Sequence, residues 1–180
     1  MKNWPKELMK INRLAKIEVL HVTIYRSMYQ DFMKFANNEN HQQKNIIFSG
    51  SRDFGMTVTP EFFKSLLFKN AKEASFYLRC QINDNDFINS NHTMLFIQTS
   101  IRFETIRQKV EKINKDANVV NQHLRIQLPY GDSRSFDLNA LFSRERFPNQ
   151  TTDVDGQLKI GKVEIGTFYL GKMIELLVRE

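Results

Sequence analysis

The chain reads as an α+β protein. It is a single domain over residues 1–180, a mainly antiparallel β-sheet packed by two or three helices, including an N-terminal basic amphipathic helix. Three observations lead there. Phe76, Leu78, Cys80 and Ile82, and again Leu124, Ile126 and Leu128, alternate with polar residues, as half-buried strands do. Trp4, Leu8, Ile11 and Ala15, and again Phe103, Ile106, Val110, Ile113, Ala117 and Val120, have helical spacing. The elements follow no strict βα repeat, and Asp155-Gly156 is a tight-turn signal that favours antiparallel pairing.

From Pro5 to about Lys16 the apolar stripe lies opposite Lys2, Lys6, Lys10 and Arg13. Residues 17–25 are rich in β-branched side chains and fit a strand. Leu20, Ile24, Met28, Phe32 and Phe35 have helical spacing instead, so residues 5–36 also fit one long helix. Residues 1–36 are therefore read as an N-terminal helical segment able to protrude, with 27–35 helical on either reading. A polar loop over 37–43 leads to short strands at 45–48 and 54–58. Thr59-Pro60-Glu61 opens a helix to about Lys72, with Phe63, Leu66 and Leu67 inward.

Residues 75–82 form the cleanest strand, with Tyr77, Arg79 and Gln81 on its polar side. A polar loop over 83–91 and a strand over 93–99 complete a long-looped hairpin. Thr99 or Ser100 caps a helix to about Asn121, whose a/d seam packs on the sheet. A strand over 123–128 and a turn at 129–132 follow, then a short helix within 137–146 and a loop over 148–156. Leu158 and Ile160 fall out of phase with Val163 and Ile165 across Gly161, which suggests a bulge or bend. Residues 168–179 close the chain as a strand or an amphipathic helix.

Composition narrows the function classes. Fifteen Phe supply ample apolar area for a core, which argues against disorder. A net charge of +6 and a pI near 9.4 favour an anionic partner, whether nucleic acid, acidic lipid or acidic protein. The one cysteine, Cys80, has no intramolecular partner and sits among inward apolar residues as a small hydrophobe. This fits a reducing compartment, and residues 1–16 are too charged for a secretory leader, so a cytoplasmic location is expected. No apolar run is long enough for a transmembrane segment.

His21-Val22-Thr23 resembles half of the His-x-Thr pair of two-histidine phosphoesterases, in which two such motifs face each other and act as base and acid on a phosphodiester. The second half is missing, because His123-Leu124-Arg125 carries an arginine where the hydroxyl belongs and His92-Thr93-Met94 carries it one place early. Asp84 and Asp86 begin like a calcium loop, but Asn89 replaces its glycine and Leu95 its bidentate acid. One cysteine and four scattered histidines give no zinc spacing, so neither metal nor cofactor is expected.

The polar side of the strands offers more. If the strands bearing Tyr77 and Arg79 and those bearing His123 and Arg125 share a sheet, one face combines a ring, two guanidiniums and amides. Such mixtures bind single-stranded nucleic acid. With Lys6, Lys10 and Arg13 these residues form the candidate anion-binding set. The expected function is that of a small basic, non-catalytic binding or accessory protein engaging nucleic acid or an acidic protein. Two alternatives stand beside it: a homodimer built through helical apolar seams, and a small phosphodiesterase using His21 and Thr23.

Overall fold

The computed structural model describes residues 18–23, 25–37, 44–49, 56–129, 131–153 and 157–179. The N-terminal amphipathic helix, with Lys6, Lys10 and Arg13, lies outside the described residues, as does the Asp155-Gly156 turn. Among the described residues ten strands share one sheet: β1 Val19–Thr23, β2 Asn45–Ser49, β3 Thr57–Val58, β4 Glu73–Cys80, β5 Met94–Thr99, β6 His123–Gln127, β7 Thr151–Thr152, β8 Leu158–Ile160, β9 Val163–Phe168 and β10 Met173–Val178. Their order is β1-β2-β4-β5-β6-β10-β9-β8-β7. The short β3 also pairs with β4, through Thr57–Arg79 and Val58–Cys80, beyond the end of β2.

This corrects the expectation of a mainly antiparallel sheet. Strands β1 to β6 run parallel, and only the segment from β7 to β10 is antiparallel. Strands β4 and β5 are therefore a crossover pair and not a hairpin. The residues between them include a short helix, α3 (Asp84–Ile88), which buries Phe87, and not a plain polar loop.

Successive parallel strands lie side by side, so each right-handed crossover returns over the same face. The crossovers carry α1 (Tyr29–Ala36), α2 (Leu66–Asn70), α3 and α4 (Phe103–Lys115). The burial agrees: Ile46, Phe48, Ala74, Phe76, Leu95, Ile97, Leu124, Ile126, Ile174 and Leu176 are inaccessible or nearly so, and the register places them on one face. The α4 seam is absorbed here, with Ile106, Val110 and Ile113 buried in the chain's own core. Ala117 and Val120 lie beyond the end of that helix.

Local chemistry explains the remaining departures. Thr59 does not cap a helix: its hydroxyl lies 3.0 Å from the Tyr29 hydroxyl, and the chain makes a 3₁₀ turn over Phe62–Lys64. Ser65 is the cap, its Oγ accepting from the Phe68 N–H at 3.3 Å. Val19–Thr23 form strand β1 and not part of a long helix. Of the bulge or bend expected at Gly161, the structure has a reversal of the chain: Gly161 lies in the turn between β8 and β9, with φ +56. A short helix, α5 (Leu138–Leu141), is capped by Asp137. Of the strand or amphipathic helix expected over 168–179, the strand is found, as β10.

Candidate binding face

The second face of the sheet is left open by the described helices. Parallel sheets are ordinarily covered on both sides, so this face is the unusual surface of the molecule. The register lays its side chains in rows across the strands. One row runs Val19, Asn45, Glu73, Met94, His123, Leu177 and Glu164; the next runs His21, Ile47, Ser75, Phe96, Arg125, Glu175 and Gly166. A third, toward the C-terminal ends of the parallel strands, runs Arg79, Gln98, Gln127, Met173 and Phe168.

Tyr77 owes its position to an irregularity. Between the pairs Ser75–Phe96 and Arg79–Gln98, β4 uses four residues where β5 uses two. The extra length pushes the chain outward. Tyr77 is 63% exposed, and its ring lies 5.1 Å from that of Phe96, tilted by 42°. Arg79 follows on the same face, exposed, with no acid paired to it among the described residues. Strands β4 and β6 do share the sheet, separated by β5, so Tyr77, Arg79, His123 and Arg125 lie on one face.

The charges of this face nearly cancel. The Arg125 Nε donates to the Glu175 Oε1 at 2.6 Å, and His123 shares that oxygen. Burial pushes the Glu175 carboxyl up, but the hydrogen bonds from His123 and Arg125 outweigh it and hold the pKa below the usual value. Glu164 pairs with Arg179 at 3.1 Å. Sequence reasoning passed over Phe96, Gln98, Glu175 and Phe168. The alternation within 93–99 was already the signal for the first two.

The remaining candidates do not assemble. On the open face the His21 Nε2 is 3.0 Å and the Thr23 Oγ1 3.1 Å from the Ser49 Oγ, a polar triangle across β1 and β2. No carboxylate among the described residues is paired with the His21 ring. His123 stands four strands away, roughly 19 Å at the usual strand spacing, so the two histidines do not flank one phosphodiester. His92 is buried, its Nε2 donating to the Phe68 carbonyl at 3.0 Å. Asp84 is tied to Arg102 and accepts from the Thr105 hydroxyl at 2.6 Å, while Asp86 accepts from the Asn83 amide at 3.3 Å. Burial pushes the Cys80 thiol well above its ordinary pKa, which leaves it unreactive. Lys109 is buried, donating to the Ile88 and Ser90 carbonyls at 3.1 and 2.5 Å and so closing the end of α3. Burial lowers its pKa to about 8.

No helix among the described residues is long and apolar enough to cross a membrane. No family model, no curated protein and no solved structure matches this chain.

Proposed function

We propose that the protein is a non-catalytic binding module whose working surface is the open sheet face, and that its partner is a protein segment presenting a carboxylate to Arg79. The observation that carries this reading is the content of the face. Tyr77, Phe96, Phe168, Met94, Arg79 and Arg125 are exposed or half-exposed across this one face, and aromatic rings, methionine and arginine are the types that enrich protein interfaces. Arg79 gives the face a cation with no acid paired to it among the described residues, and the chain as a whole is basic, which favours an acidic partner.

The Tyr77–Phe96 pair beside Arg79 also suits stacked bases. The phosphates of a single strand need a track of cations, however, and here Arg125 is neutralised by Glu175 and the face carries Glu73 and Glu164. The near-neutral face therefore favours protein over nucleic acid.

Selection of random peptides displayed on phage against the full chain tests the reading. The enriched peptides should contain an acidic residue, and Tyr77→Ser with Arg79→Gln should weaken them at least about tenfold while leaving the melting temperature unchanged. A labelled single-stranded oligonucleotide, followed by anisotropy, should bind at most weakly at physiological salt. Tight oligonucleotide binding that steepens at low salt and is lost in the Tyr77→Ser variant would replace this reading with the nucleic-acid one.

A further inference from the structure

The third row of the open face differs from the other two in what its polar groups do. In the first two rows Arg125 and His123 are spent on Glu175, Glu164 on Arg179, and His21 on Ser49. In the third, Arg79, Gln98 and Gln127 stand side by side on β4, β5 and β6. None of these three side chains has a hydrogen-bond or ion-pair partner among the described residues. Arg79 is exposed, and the two glutamines are half-buried. An amide taken partly out of water gains by finding a partner, and each glutamine offers two N–H donors and one carbonyl acceptor. The row then changes character. Met173 is only 9% exposed, while Phe168, the last residue of β9 before the turn through Tyr169 and Leu170, is 39% exposed. Read across the strands, the row is a cation, two unspent amides and an apolar end.

This order of groups matches an extended peptide. The backbone N–H and C=O groups of an extended chain point sideways and need partners, and two neighbouring amides supply them whatever the peptide's sequence. A helix satisfies its backbone internally and would leave both glutamines unpaired. Charge complementarity fixes the placement: the guanidinium lies at one end of the row, so the partner's carboxylate belongs there and its apolar side chain at the other. From β4 to β9 is four strand spacings, roughly 19 Å. An extended chain covers that span in about six residues, and because its side chains alternate, residues six apart point the same way.

We infer that the partner segment lies extended across the strands along this row, with an acidic residue at Arg79, its backbone held by the Gln98 and Gln127 amides, and an apolar residue about six positions from the acid against Phe168. This rests on the binding-module reading, and the test separates the two.

Peptides enriched by phage display on the full chain, made synthetically with a fluorescent label, should share an acidic and an apolar residue about six positions apart. Gln98→Met with Gln127→Met keeps side-chain length and removes both amides. By anisotropy this variant should bind the peptides at least about tenfold more weakly while melting like the parent. N-methylation of the peptide backbone between the two anchor residues removes its N–H donors and should weaken binding to the parent protein by a similar factor, with no protein variant needed. Full affinity in either case overturns the extended row, as does an enriched set with no fixed spacing between acid and apolar residue. If the Tyr77→Ser, Arg79→Gln variant still loses affinity in that event, the face reading survives. Peptides indifferent to the Tyr77→Ser, Arg79→Gln variant, or a selection that enriches none, overturn both.

Discussion

At the scale of single residues, two positions turn local chemistry into stability. His92 donates through Nε2 to the Phe68 carbonyl, while its Nδ1 is buried with no partner among the described residues. Burial lowers its pKa, the Phe68 bond partly opposes this, and the Lys109 charge lowers it further, to about 4. In the unfolded chain the ring titrates near 6.5. Between the two values the unfolded state holds a proton that the folded state lacks, so the contribution is complete above the unfolded value and lost as pH falls toward the folded one. The full loss is on the order of 3 kcal/mol. Urea midpoints of the parent should therefore drop more steeply from neutral pH to mildly acidic pH than those of His92→Gln; parallel slopes would sink this account. Gly161 has φ +56, and an added Cβ would lie 2.4 Å from the Asn114 Oδ1, the atom that accepts from the Lys162 N–H at 3.0 Å. Gly161→Ala should cost roughly 1–3 kcal/mol in a urea melt. A variant as stable as the parent would mean that the β8–β9 turn can relax away from Asn114.

At the scale of elements, the parallel half of the sheet is fastened to its helices by phenylalanines. Phe62 is inaccessible, and its ring lies 4.8 to 6.1 Å from those of Phe48, Phe63, Phe76, Phe68 and Phe32. It joins α1, β2, the 3₁₀ turn, α2 and β4. Phe62→Ala should destabilise by about 3–5 kcal/mol, and a loss below about 1 kcal/mol would show that the cluster collapses around the gap. Most elements were legible in the sequence. Strands β4, β5 and β6 and the α4 seam stand within a few residues of where periodicity puts them. The helix at Asp84–Ile88 was hidden because its Asp and Asn residues read as loop, and its two apolar residues, Phe87 and Ile88, are adjacent and show no helical spacing. The Tyr169–Leu170 turn was hidden because neither residue is a turn former.

At the scale of the whole molecule, the misread strand direction and the candidate site have one cause. A parallel strand covered on both faces reads as a continuous apolar run, whereas alternation is the habit of antiparallel strands with one wet face. Here β4 and β6 are parallel yet alternate, since the described residues leave one face of the sheet open. The sequence therefore carried the open face plainly, in Tyr77, Arg79, His123 and Arg125, and hid the direction of the chain behind it. Which strands lie between those residues is set by crossovers, and no local spacing encodes it.

The central claim is that this face is accessible in the free, folded chain. Modification by a thiol reagent tests it directly, because Cys80 is buried with its thiol protonated and supplies a silent background. In Tyr77→Cys and Gln127→Cys the new thiols should react without denaturant at nearly the rate of the unfolded chain, while Leu78→Cys, facing the helices, should react only on unfolding. Protection at both 77 and 127 in the folded protein would contradict the account, for the face would then already be covered by the chain itself.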